Sequence, residues 1–80
     1  MQTDHLQNKD KVRSKIEIVL YIYDQLLQNK VISSTQISNE FKISKRTFKR
    51  YIEDINGYFF NQYKNMEVIY DPHIKKYRLV

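Results

Sequence analysis

From Val12 onwards, apolar residues recur at spacings of three and four: Val12, Ile16, Val19, Leu20, Tyr23, Leu26 and Leu27. That is the stripe of an amphipathic helix, predicted to run from Val12 to about Gln28 or Asn29. Residues 1–11 are polar and aperiodic, which predicts a loose leader ahead of one folded domain over 12–80. Beyond Asn29-Lys30, Ser33 is followed three residues later by Gln36, the signature of a capping box, and Ile37 and Phe41 lie four apart. A short second helix with one apolar face is predicted there. It stops at Lys42-Ile43, where Ser44 suits the N-cap of a third helix and Ile43 the apolar position just outside it. Phe48, Ile52, Ile55 and Phe59 mark the core face of that helix, which reaches about Tyr58 or Asn61 with Gly57 as a weak point inside it.

The rest of the chain changes period. Glu67-Val68-Ile69-Tyr70 and Lys75-Lys76-Tyr77-Arg78-Leu79-Val80 are rich in branched and aromatic residues and flank Asp71-Pro72-His73-Ile74. This predicts a β-hairpin with Pro72 in its turn, where the missing N–H costs nothing. Alternation predicts one buried face of Val68, Tyr70, Tyr77 and Leu79, with Ile69 and Arg78 on the other. A short strand near Val31-Ile32 would add to this sheet. The predicted class is mostly α with a small β-hairpin, in the order αααββ.

Composition narrows the picture. With 80 residues there is room for one small domain, and 41% apolar residues, including seven Tyr and four Phe, are enough for a compact core. One Gly and one Pro argue against a low-complexity chain, and the absence of Cys removes disulfides, thiolate metal sites and thiol nucleophiles together. No apolar run approaches the ~20 residues of a membrane span, and the charged start lacks the apolar stretch of a secretory signal, which predicts a cytoplasmic protein without a membrane partner.

Charge is unevenly placed. The formal net charge is +5, and residues 1–43 hold six Lys/Arg and five Asp/Glu, whereas residues 44–80 hold eight and four. The excess therefore sits in the third helix and the hairpin. Lys45 and Lys49 are four apart, as are Arg46 and Arg50, so they form two adjacent rows that avoid the Phe48 and Ile52 stripe. Such rows on many helices are only a solvated face. Here Glu53 and Asp54 follow at once, so the cations are confined to the first turns, where a solubilising face would mix signs throughout.

Two helices joined by Lys42-Ile43-Ser44, the second basic on its outer side, have the layout of a helix-turn-helix. The major groove of B-DNA admits an α-helix whose first turns offer long cationic or hydrogen-bonding side chains. Arg46 and Arg50 carry planar forks that match guanine O6 and N7, while Lys45, Lys49 and the Ser44 and Thr47 hydroxyls suit phosphates. At the hairpin tip His73, Lys75 and Lys76 are placed to meet the sugar-phosphate backbone or a minor groove. The aromatics are read first as core, with Tyr51, Tyr58 and Tyr63 as the ones that could face a partner.

The run Ile37-Ser38-Asn39-Glu40-Phe41-Lys42-Ile43-Ser44-Lys45-Arg46-Thr47-Phe48-Lys49-Arg50-Tyr51-Ile52 resembles the helix-turn-helix of the DeoR-type and WYL-domain transcription regulators (helix-turn-helix type 11) and the related biotin-repressor winged helix. The similarity covers roughly residues 15–80. Ile37-Ser38, Ile43-Ser44, Arg46-Thr47-Phe48, Arg50 and Ile52 fill that family's pattern, and Tyr77-Arg78-Leu79 resembles its closing wing strand. Tyr51 departs from it, since an acidic residue is usual there. The resemblance implies a winged helix-turn-helix and a bacterial, sequence-specific regulator that acts on double-stranded DNA in the cytoplasm, nucleoid-associated when bound. It also implies a larger effector or dimerisation domain after the wing in its members, and with it a homodimer.

Other classes fit less well. An enzyme needs a nucleophile, an acid/base pair or a metal in a pocket, yet His5 and His73 have no second ligand at metal spacing, Glu53 and Asp54 point about 100° apart, and no Gly-rich phosphate loop exists. Neither a catalytic site, a metal nor a cofactor is expected. A winged helix used for protein association is the main rival, and the basic rows argue against it, since interface cores are depleted in charge. Duplex RNA does not admit a helix into its major groove.

Overall fold

A computed structural model describes residues 14–28, 30–62 and 64–80. Helix α1 spans Lys15–Leu27. Its start is set by Ser14, which sits in extended conformation as N-cap. The Ser14 hydroxyl accepts the Glu17 N–H at 3.2 Å, while the Glu17 carboxylate accepts the Ser14 N–H at 3.1 Å. This reciprocal box satisfies two end groups of the helix, and the extended cap cannot itself be helical, so α1 begins three residues after the predicted Val12. Val12 and the expected leader over 1–11 lie outside the described residues.

The inward face of α1 is the predicted one only in part, at Val19, Tyr23 and Leu26. Ile18, Ile22 and Leu26 are buried, and Val19 and Tyr23 are half-buried, but Ile16, Leu20 and Leu27 face outwards, Ile16 at 70% exposure. Apolar residues occupy more than half of the helix circumference, so two rows at helical spacing coexist. Periodicity cannot choose between them.

Helix α2 covers Ser34–Phe41, with Ser33 as N-cap accepting the Gln36 N–H at 3.2 Å. Only this half of the expected box forms among the described residues, with no return bond from the Gln36 side chain. Ile37 and Phe41 are buried as predicted. The helix ends because Lys42 turns into the left-handed region (φ 60°), where its N–H and that of Ile43 both reach the Ser38 carbonyl. Helix α3 covers Lys45–Asn61 and buries Phe48, Ile52, Ile55 and Phe59, the predicted set.

Strands β1 (Val68–Asp71) and β2 (Lys76–Leu79) pair antiparallel, with Val68 opposite Leu79, Ile69 opposite Arg78 and Tyr70 opposite Tyr77. Of the predicted buried face only Val68 is buried; Tyr77 and Leu79 are half-buried and Tyr70 is exposed, because the core beneath a two-stranded hairpin reaches only its end nearest the helices. The expected short strand is a single residue: Ile32 exchanges two backbone bonds with Tyr77, at 2.9 and 2.8 Å. The order is αααββ, mostly helical with a small hairpin, the architecture of a winged helix-turn-helix. One core joins the helices to Ile32 and Val68. Two chains of edge-on rings bind the periphery to it, Tyr21 on Phe41 and Phe48 on Tyr77 on Tyr70, with centroids 5.2 Å apart in each case.

Candidate nucleic-acid interface

Three residues, Lys42 to Ser44, separate α2 from α3. Ile43 is half-buried against the core, which fixes the angle at which α3 leaves the turn. Ser44 caps α3: its hydroxyl accepts the Thr47 N–H at 3.0 Å and donates to the Thr47 hydroxyl, also at 3.0 Å. The Ser44 proton is therefore spent inside the cap, and the Thr47 hydroxyl proton is the one left to reach outwards. Four buried residues lock the opposite side of α3, so its rotation is set and Lys45, Arg46, Lys49 and Arg50 are all exposed. No hydrogen bond or ion pair among the described residues occupies any of the four.

Asp54 lies one turn beyond Arg50, within reach of an i, i+4 pair. It is instead 3.0 Å from the ammonium of Lys15 on α1, which also lies 5.7 Å from the centre of the Tyr51 ring. Lys15 thus diverts the carboxylate that would otherwise compete for Arg50. These residues and Thr47 enclose a polar recess of about 270 Å³ at the edge of the basic face. Tyr51 is half-buried against the core. Glu53 is exposed, and no ion pair among the described residues occupies it. Tyr58 is exposed, and Tyr63 lies outside the described residues.

The wing tip is built around Asp71. Its carboxylate accepts the His73 N–H at 2.9 Å and the Arg78 Nε–H at 2.9 Å, and its carbonyl accepts the Lys75 N–H at 2.7 Å. The Arg78 guanidinium, followed by the His73 N–H, holds the Asp71 carboxyl below its ordinary pKa. Arg78 is thereby committed within the hairpin. His73, Lys75 and Lys76 point to solvent, the His73 side chain 93% exposed with Nδ1 3.5 Å from Asp71. Lys75 occupies the left-handed region (φ 57°) that closes the turn. No hydrogen bond or ion pair among the described residues joins these tip residues to the rows on α3.

Three residues that organise this surface were not singled out by the sequence: Lys15, Asn56 and Asp71. The side-chain amide of Asn56, on the flank of α3, donates to the Val68 carbonyl at 3.1 Å and accepts the Val68 N–H at 2.8 Å. It ties the hairpin to the helix that carries the cations. Asp71, just before Pro72 and two residues before His73, had a local signal in the side-chain-capped turn that Asp favours. Lys15 and Asn56 act across long sequence separations and had none. No family profile, curated protein or solved structure matches the chain.

Proposed function

We propose that the chain binds double-stranded DNA, with α3 in the major groove, and serves as the DNA-binding part of a transcription regulator. One observation carries this reading. Four cationic side chains stand on the first two turns of a helix whose back is locked in the core, and no other described residue pairs with them. A helix about 10–12 Å across fits a groove about 12 Å wide, so these turns are the part that meets base edges. Arg46 and Arg50 read bases; Lys45, Lys49 and Thr47 hold phosphates. The wing adds backbone contacts through His73, Lys75 and Lys76. The resemblance of residues 37–52 to DeoR-type regulators supports the same reading, and with it a cytoplasmic, nucleoid-associated location. The chemistry is binding, without catalysis, metal or cofactor. No helix among the described residues is long and apolar enough to cross a membrane.

The test is selection of bound duplexes from a random library, followed by binding of the selected duplex to variants of unchanged circular dichroism. The Arg46→Ala, Arg50→Ala double variant should bind on the order of a hundred-fold more weakly. Lys75→Ala with Lys76→Ala should weaken all sequences alike and flatten the slope of log affinity against log salt by about two. Equal binding by the Arg double variant and the parent would sink the assignment of α3 to the groove.

A further inference from the structure

Lys15 stands at a place that the stability of its own helix does not explain. It is the first residue of α1, directly after the Ser14 cap, where the unpaired N–H groups of a helix end favour anions and disfavour a cation. Glu17 supplies the favourable charge at this end. Lys15 is placed by tertiary contacts instead: its ammonium is 3.0 Å from the Asp54 carboxylate and 5.7 Å from the centre of the Tyr51 ring, both on α3. Tyr51 packs against the core, so its ring is a fixed support for the cation. Arg50 lines the same polar recess as Asp54, and no other described residue pairs with it. Asp54 thus has two cations within range, Arg50 four residues earlier on its own helix and Lys15 on α1. The helical alternative is the weaker one, because a cation four residues before an acid is the less favourable order of such a pair, worth only about a two-fold preference at a surface.

We propose that Lys15 is a positioning residue for base recognition: by holding Asp54, it keeps the Arg50 guanidinium free to take a guanine edge. This rests on the reading of α3 as the helix that enters the major groove. The chemistry is competition for one fork. A guanidinium bonds guanine O6 and N7 through two parallel N–H donors, and a carboxylate takes the same two donors in the same geometry. An Asp54 without Lys15 draws Arg50 into that alternative, and its uncompensated negative charge then stands beside the phosphates that flank the base. Lys15 removes both effects without touching DNA. Glu53 does not enter this contest, since it projects about 100° from Asp54 around the helix and does not line the recess.

Two measurements test this. Without DNA, NMR relaxation of the Arg50 Nε–H should report a mobile side chain in the parent and a restrained one in Lys15→Met. Mobility should return when Asp54→Asn is added to Lys15→Met. With duplexes, the base pair at which Arg50→Ala loses preference is located first. At that base pair Lys15→Met should lose about three-fold of the parent's discrimination, Lys15→Arg should keep it, and Asp54→Asn in the Lys15→Met background should restore it. A lysine that merely held a phosphate would lower affinity for all sequences alike, with no rescue by Asp54→Asn. Lys15→Gln provides the same reading should Lys15→Met fail to fold. Unchanged Arg50 relaxation in Lys15→Met, or full discrimination at the Arg50 base pair in that variant, overturns the proposal. Unchanged preference in Arg50→Ala counts against the groove reading instead, while the relaxation measurement still decides whether Lys15 holds Asp54 off Arg50.

Discussion

Asn56 holds Val68 by both of its backbone groups, as a neighbouring strand would, at 2.8 and 3.1 Å. The register of the hairpin turns the Val68 N–H and carbonyl away from β2, because Glu67 and Val80 exchange the adjacent pair of bonds. A side chain on α3 thus closes the outer edge of β1 at a residue that is 4% exposed. Edge strands with free backbone groups invite pairing with other chains, and this amide blocks that edge at its buried end. It also makes the position of the wing depend on the helix that bears the cationic rows.

Replacing Asn56 by Ala leaves two buried backbone groups without partners, a cost of about 1–3 kcal/mol, little of which the better helix propensity of Ala returns. Amide hydrogen exchange in Asn56→Ala should accelerate over 68–79 far more than over α1. Uniform acceleration throughout the chain would show that the clamp does not act on the hairpin in particular.

The wing turn should respond to acid through Asp71. Its folded pKa lies below its unfolded one, so ionised Asp71 stabilises the turn at any pH above the ordinary carboxylate value. That contribution disappears as pH falls through the depressed folded value. The tip should keep its geometry down to about pH 4 and loosen below it. The amide shifts of His73 and Lys75 report the change, and Asp71→Asn should abolish it; an unaltered acid transition in that variant would assign it to another group.

Gly57 is exposed within α3, and a Cβ added there meets nothing within 4 Å. Nothing in the structure explains a glycine at this position. Gly57→Ala should therefore stabilise the protein by about 0.5–1 kcal/mol, a rise of several degrees in Tm for a domain of this size. A lower Tm on thermal unfolding would reveal a contact that the backbone of Gly57 makes only without a side chain.

Ser38, on α2, has a buried hydroxyl oxygen with no hydrogen-bond partner among the described residues. Its carbonyl, by contrast, takes the N–H groups of both Lys42 and Ile43. Ser38→Ala removes the unsatisfied hydroxyl and improves helix propensity, so denaturant unfolding should show a gain of about 1 kcal/mol with an unchanged m-value. A loss of stability would mean that the hydroxyl is satisfied in solution.

Much of this molecule is written locally. Ser33 and Ser44 as caps, the three-residue turn between α2 and α3, the buried set Phe48, Ile52, Ile55 and Phe59, and the existence of a hairpin around Pro72 are all legible in the chain. Each rests on periodicity or on hydrogen bonds spanning a few residues, and such interactions need no knowledge of the rest of the fold. The exposure of Lys45, Arg46, Lys49 and Arg50 follows from the same periodicity, since a fixed inward face leaves them outside.

What tertiary structure alone decided lies wherever two answers were locally equal. In α1 the rows Ile18, Ile22, Leu26 and Ile16, Leu20, Leu27 have comparable spacing, and packing against α3 and β2 buried the first. Asp54 had Arg50 within reach on its own helix and Lys15 on another, and the approach of α1 settled it on Lys15. The single bridge of Ile32 to Tyr77 and the clamp of Asn56 on Val68 likewise join residues far apart in the chain, where the choice of partner belongs to the assembled core.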